Sequence, residues 1–378
     1  MLEPEVYYPL KVFTCERCFL VQIDEYKAAK EIFDVDYAYF SSYSSTWLNH
    51  CSDYTNMICE RFGYNQDSLV VELASNDGYL LQYFKQKGIP VLGVEPSLNT
   101  ARHALGKGID CITDYFSSEL ATKEFTAKGR RADLVIANNV LAHVPDIVDF
   151  VRGISLILKE TGVLTVEFPH LLQLMLHNQF DTIYHEHFSY LSLVAVRAIF
   201  ESQGLSIFDV QEIATHGGSL RIYAKHKSDI SKPVSESVKA LVTKEEHFGI
   251  TDIDKHLAFQ EKALKIKYAF LEFLLEGKRK QKKIAAYGAA AKGNTLLNFC
   301  GVKSDMINFV ADASPHKQNK FLPGSHIPIV SAEKLREYKP DFVIIFPWNI
   351  KEEVCQQLAY VRDWGAKFVV AVPQLTIF

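Results

Sequence analysis

Glu72, Asp77 and Glu95 are the first residues whose types and spacing can do chemistry. In LVVELASNDGYLLQYF an apolar run of strand length ends at Leu73, and a turn of small and polar residues, Ala74 to Gly78 with Asn76 inside it, precedes a helical pattern. VLGVEP closes a second such run with Glu95 and Pro96, 17 residues beyond Gly78, where a carboxylate can accept hydrogen bonds from the two hydroxyls of a ribose. The turn lacks the GxGxxG that lets a pyrophosphate approach helix amides, and it carries acidic Glu72 and Asp77. Carboxylates suit the sulfonium cation of S-adenosylmethionine (SAM) better than a diphosphate. A third run, ADLVIANN, ends in Asn138 and Asn139, at the strand edge where ligands of open α/β sheets lie. The plain alternatives are a βα turn with an N-capping Asn or Asp, and a solvated strand end at Glu95.

Further on, QFDTIYHEHFSYLS gathers Tyr184, His185, Glu186 and His187. HEH lacks the i, i+4 histidines of HExxH, which argues against a zinc hydrolase. Acid–base chemistry fits better: making a carbon next to a ketone nucleophilic takes a base for the α-proton and a donor for the enolate oxygen. Alternation along an extended segment would set Glu186 opposite His185 and His187. His143, close to the two asparagines, is a candidate second acid or base. The alternative for each is a side chain satisfied in a core.

KIAAYGAAAKGNTLLNF offers Gly288, Lys292 and Asn294 at a helix start that can meet a diphosphate through backbone amides and the lysine charge, and Asp312 ends INFVAD before a loop that can close over a nucleotide. Small residues needed for helix–sheet packing, and an ordinary polar loop, are the alternatives.

The elements that must position these residues follow from pattern. Residues 1–55 read as a small module, with the hairpin-like KVFTCERCFLVQI and a Tyr- and Ser-rich stretch. Residues 56–230 alternate strand-length apolar runs with amphipathic segments, as βα units do, and end in two strands around a Gly-containing turn at 205–226. Residues 231–282 form a helical connector, and 283–378 repeat the strand–helix rhythm as a second, smaller α/β domain. The 378 residues are 48% hydrophobic, enough for two or three packed domains, and the net charge of −4 with no run of five like charges gives no footprint for nucleic acid or membrane. With no signal peptide and no 18-residue apolar run, a cytoplasmic location is the default. Seven scattered cysteines read as reduced thiols, and only Cys15 and Cys18 are spaced as a ligand pair.

DYAYFSSYS (36–44), VELASNDGYLL (71–81), GVEPS (93–97), NNVLAHVPD (138–146), FDTIYHEHFSYLS (180–192), HGGSLR (216–221) and YGAAAKGNTLLN (287–298) closely resemble the SAM-dependent sugar C-methyltransferases, which include enzymes methylating C-3 of dTDP-4-keto-6-deoxy sugars for branched deoxysugars. The resemblance covers nearly the whole chain. It implies an N-terminal zinc-binding module, a central SAM domain and a C-terminal Rossmann-like domain that helps to hold the sugar nucleotide. It implies His187 as the base at C-3, with Tyr184, Glu186 and His143 around the sugar, and a tyrosine of the N-terminal motif, Tyr39 or Tyr37, nearby. An enolate would then attack the SAM methyl in line, with S-adenosylhomocysteine (SAH) released. The family's zinc module uses two CxxC pairs; here only Cys15 and Cys18 are present, half of a structural site. A truncated start, loss of zinc, or ligands from elsewhere, nominally His50 and Cys51, would each account for that. The expected partner is a sugar-nucleotide substrate, and the chain a monomer or small homo-oligomer.

Competing classes are an NAD-dependent oxidoreductase, which would want a glycine-rich pyrophosphate loop, and a non-catalytic SAM or sugar-nucleotide binder, which the clustering at 184–187 disfavours. O- or N-methylation of a sugar or small metabolite is the nearer alternative.

Overall fold

Val70, Val71 and Leu73, broken only by Glu72, and Leu134, Val135 and Ile136 are apolar on both alternating faces, and strands apolar on both faces need cover on both. The computed structural model, which describes residues 4–32 and 40–378, buries them in the middle of a seven-stranded sheet. The chain divides into two compact units, one of residues 12–170 and 185–251, the other of residues 1–11, 171–184 and 252–378.

The first unit contains β1 (Val12–Thr14), β2 (Val21–Ile23), β3 (Val70–Leu73), β4 (Val91–Val94), β5 (Cys111–Ile112), β6 (Ala132–Asn138), β7 (Leu158–Pro169), β8 (Ser189–Tyr190), β9 (Leu205–Ile213) and β10 (Ser219–His226). Its large sheet runs β5-β4-β3-β6-β7-β10-β9. The first five strands are parallel; β10 pairs antiparallel with β7 and with β9. This is the antiparallel ending expected from 205–226. Side chains of both faces are buried, Val71, Leu73 and Val135 in one cluster and Val70, Leu134 and Ile136 in another. A second sheet, β1-β2-β8, joins the CxxC hairpin to the segment after His187: Val21 pairs with Tyr190, Gln22 with Ser189, and the Ile23 amide donates to the Phe188 carbonyl at 3.0 Å.

The second unit contains β11 (Ile284–Tyr287), β12 (Val310–Ala311), β13 (Ile329–Val330), β14 (Phe342–Ile345), β15 (Lys367–Val370) and β16 (Thr376–Ile377), in the order β13-β12-β11-β14-β15-β16. All pairs are parallel except β15 with β16. The α/β class with two Rossmann-like sheets and a small N-terminal hairpin is therefore as the sequence pattern indicates.

Two boundaries drawn from pattern do not coincide with these units. The helix Ser45–Phe62 runs across residue 55, because Cys51, Tyr54 and Ile58 of one face pack into the core beneath β3 and β6. The stretch read as a connector is divided: Glu236–Phe248 belongs to the first unit and Phe259–Arg279 to the second. Among the described residues no helix is long and apolar enough to cross a membrane.

Candidate active site

The turn after β3 is built on left-handed backbone. Ala74, Asn76 and Gly78 have φ of 55°, 48° and 73°. At Gly78 a side chain is barred twice, because a Cβ would stand 2.6 Å from Ile109 Cδ1. Glu95, at the end of β4, locks the turn: its Oε2 accepts from the Asn76 amide at 2.9 Å, and Oε1 from the Ser97 amide and the Thr100 hydroxyl at 3.0 and 3.1 Å. Burial raises the Glu95 pKa, against the pull of these donors. The expectation that two ribose hydroxyls occupy this carboxylate thus meets three protein donors already in place. Pro96 is half-buried beside it. Asn76 accepts the Ser41 amide at 3.0 Å, which ties the described end of the Tyr-rich stretch to the turn. Tyr37 and Tyr39 lie outside the described residues.

Around this turn several buried polar groups are under-satisfied among the described residues. The fully buried Glu72 carboxyl has the Tyr79 hydroxyl as its polar neighbour, and Asp77 Oδ1 and both amide atoms of Asn138 have no hydrogen-bond partner among those residues. Burial drives the Glu72 carboxyl well above the usual range, with the neighbouring Tyr79 hydroxyl opposing and the charges of Asp77 and Glu95 adding to it. Asp77 is anchored through Oδ2 to Lys107 Nζ at 3.1 Å. Native proteins seldom leave such groups unsatisfied, so acceptors and an amide at the carboxyl ends of β3 and β6 fit a ligand bearing both cationic and hydrogen-bonding groups. SAM has both, and Glu72, Asp77, Asn138 and Glu95 are the residues that would hold it. Asn139, at φ 52°, donates its amide to the Glu167 carbonyl at 2.8 Å, and its side chain lies 3.4 Å from His216 Nε2.

Next to it stand the histidines. His143 Nδ1 is 2.8 Å from the Glu186 carbonyl, and the rings of His143 and His187 cross edge to face at 4.8 Å. Burial lowers the His143 pKa to about 4, against the Glu186 contact. The Glu186 carboxyl is raised by burial. His185 lies edge-on to Tyr26 at 6.1 Å. Residues 185 and 186 form a turn, not an extended run, so the alternation expected for HEH does not hold; pairing begins only at Ser189. Tyr184 is half-buried in the second unit, the division falling between it and His185.

Sequence pattern missed a buried cluster at the end of β7. Glu167 takes Arg221 Nε at 2.6 Å from the residue directly opposite on β10, and His50 Nε2 lies 3.0 Å from its other oxygen. Burial alone would raise Glu167, but His50 and Arg221 outweigh it and leave the carboxyl below its ordinary value. Trp47 stacks on His50 at 4.8 Å. The sequence signal was an Arg in the apolar middle of a strand, between Leu220 and Ile222.

His50 and Cys51 are therefore not zinc ligands: the imidazole is engaged by Glu167, and Cys51 is fully buried in the core. Among the described residues no group of three or more His, Cys, Asp or Glu side chains is arranged for a metal. Cys15 and Cys18 supply two thiols, and among the described residues no further ligand stands with them.

In the second unit, Gly288 (φ 90°) and Gly293 are required by packing, since a Cβ would stand 2.5 Å from Pro347 and 2.7 Å from the Phe346 ring. Asp312 accepts the Ala289 and Ser314 amides at 2.7 and 2.8 Å, bracing two loops with both oxygens. Lys292 donates to Asn349 Oδ1 at 2.6 Å and lies over the Trp348 ring at 4.4 Å. Burial brings it down to about 8, against the attraction of Asp181. Asn294 Oδ1 is buried without a partner among the described residues.

A parallel sheet with an antiparallel ending, bearing buried carboxylates and an amide at its carboxyl edge, fits the class of SAM-dependent methyltransferases. Residues 52–210 match the family described as methyltransferase domain, and residues 214–373 the family described as C-methyltransferase C-terminal domain. The C-methyltransferase NovU of Streptomyces niveus is 34% identical over 370 residues, 98% of this chain and 87% of that protein. Among solved structures, the PH0226 protein of Pyrococcus horikoshii OT3 is 14% identical, covering 52% of this chain and 99% of its own with a TM-score of 0.41. Magnesium protoporphyrin IX methyltransferase of Synechocystis PCC 6803 with bound SAH is 16% identical over 47% and 81%, with a TM-score of 0.37. The chain belongs to the SAM-dependent C-methyltransferase family.

Proposed function

We propose that this C-methyltransferase acts in the cytoplasm on C-3 of a nucleotide-linked 4-keto-6-deoxy sugar, with dTDP as the nucleotide, in deoxysugar biosynthesis. The observation that carries the reading is the imidazole pair His143 and His187, at 4.8 Å, with His143 held to the main chain of the HEH turn. Carbon methylation next to a ketone needs a proton acceptor, and a positioned imidazole is suited to that. In this reading His187 takes the C-3 proton, while His143, kept neutral by burial, receives hydrogen bonds without adding charge. Tyr184 and Glu186 are assigned to orienting the sugar, and His185 and a tyrosine of the N-terminal motif, Tyr37 or Tyr39, to binding it. When bound, SAM supplies an electrophilic methyl to the carbon nucleophile and leaves as SAH. Glu72, Asp77, Asn138 and Glu95 fix its position. Lys292, Asn294 and the amides after Gly288 serve the nucleotide diphosphate, and Asp312 holds that loop.

Incubation with SAM and a dTDP-4-keto-6-deoxyhexose in deuterated buffer tests this by mass spectrometry and NMR. The expected product carries one added methyl on C-3, and substrate recovered from reactions containing SAH gains deuterium there. A methyl found on oxygen or nitrogen, with no exchange at C-3, would overturn it.

A further inference from the structure

In the second unit the strand order turns at β11: β12 and β13 lie to one side, β14 to β16 to the other. The loops after β11 and β14 therefore leave in opposite directions, and ligands of open α/β sheets bind in the crevice between such loops. Lys292 follows β11; Trp348 and Asn349 follow β14. Between them is inserted a residue from a distant part of the chain, Asp181 of the FDTIY segment, whose Oδ2 accepts from Trp348 Nε1 at 2.7 Å. Thr295 fastens the same segment by donating to the Ile183 carbonyl at 2.8 Å.

Asp181 is 1% exposed, and its Oδ1 has no hydrogen-bond partner among the described residues. Lys292, largely buried, has a neutral amide oxygen and an indole face as its contacts and forms no ion pair among the described residues. An acceptor and a cation, each lacking its proper partner, stand together at a switch point. Burial raises the Asp181 carboxyl to about 7, against the Trp348 hydrogen bond and the Lys292 charge, so the site does not tolerate an isolated carboxylate easily. A second anion placed directly on Asp181 would aggravate this. A neutral hydrogen-bond donor would relieve it.

We propose that Asp181 is a ligand-binding residue whose Oδ1 accepts a hydrogen bond from a neutral donor on the nucleoside of the substrate, a base imide N–H or the 3′-hydroxyl, while Lys292 takes the neighbouring anionic group. This rests on the sugar-nucleotide reading above.

Calorimetric titration with dTDP and with inorganic pyrophosphate tests it. Asp181→Asn keeps an acceptor for the Trp348 N–H and presents an amide donor where Oδ1 stood. The variant is expected to bind dTDP at least about tenfold more weakly while pyrophosphate binding, measured by competition, is unchanged. Lys292→Met is expected to weaken both. Unchanged dTDP affinity in Asp181→Asn overturns the role of Asp181 and leaves the sugar-nucleotide reading standing; equal weakening of both probes reduces Asp181 to a support for Lys292 and also overturns it. If the wild-type protein binds neither probe, the sugar-nucleotide reading falls and this inference with it. A test on unaltered protein uses dTDP methylated at N3 and dTDP lacking the 3′-hydroxyl. One of the two must lose affinity, and full binding by both overturns the proposal.

Discussion

His143 donates its Nδ1–H to the main-chain carbonyl of Glu186, 2.8 Å away, and thereby fixes its own tautomer with the lone pair on Nε2. A residue that follows β6 thus holds the turn preceding His187.

The pKa of His143, lowered by burial from 6.5 to about 4, makes this contact visible in solution. The unfolded chain takes up a proton below pH 6.5, whereas the folded protein resists it until about pH 4. Stability from this group is therefore complete above 6.5 and is lost as pH falls through 4. Asn in place of His143 can still donate to the Glu186 carbonyl and does not titrate. The expected result is a melting temperature that falls less steeply between pH 6.5 and 4 in His143→Asn than in the wild type. Parallel curves would show that His143 is not buried as a neutral group.

His187→Ala should separate binding from chemistry. The turn after β3 is locked by Glu95, so SAH affinity is expected to stay within about twofold, while turnover falls by roughly 10² or more, the usual worth of a positioned base. Deuterium exchange into the substrate should fall in parallel. Near-normal turnover removes His187 from the role of base.

Two glycines with the same backbone make a controlled comparison of the SAM turn. Gly63 (φ 70°) ends a helix, and a Cβ placed there would meet nothing within 4 Å, whereas at Gly78 (φ 73°) that atom would press on Ile109 and come within 3.3 Å of Ala104 Cβ. Gly63→Ala should cost roughly 1 kcal/mol, from backbone strain alone. Gly78→Ala should cost about 1–3 kcal/mol more through overpacking and should also weaken SAH binding, which Gly63→Ala should not. Urea unfolding and calorimetry check both, and equal costs would mean that the turn can move aside.

What the sequence showed of this molecule was local. Apolar runs closed by Leu73, Glu95 and Asn138 mark strand ends, and in a parallel sheet strand ends form the ligand edge, so side chains spaced along the chain can be assigned to one place. Contacts across the sheet or between loops leave no such trace. Glu167 and Arg221 are 54 residues apart and meet only because β10 lies antiparallel beside β7. Asp181 and Trp348 are separated by 167 residues. The HEH segment misled for a different reason: alternation presumes an extended strand, and His185 and Glu186 occupy a turn.

The Glu167–Arg221 pair yields a prediction whose sign separates fold from function. Both side chains are buried, and each removes the other's charge from an apolar setting. Taking away the guanidinium alone, in Arg221→Met, leaves the Glu167 carboxylate with only His50 at 3.0 Å, and breaking a buried pair in this way costs about 3–5 kcal/mol. Removing both charges spares that penalty. Glu167→Met combined with Arg221→Met is therefore expected to be more stable than Arg221→Met alone in urea unfolding, with His50 turning to solvent, to which it is already partly exposed. If the double variant is as unstable as the single one, the pair contributes through shape and its hydrogen bonds to Gln211 and His50 and not through charge compensation.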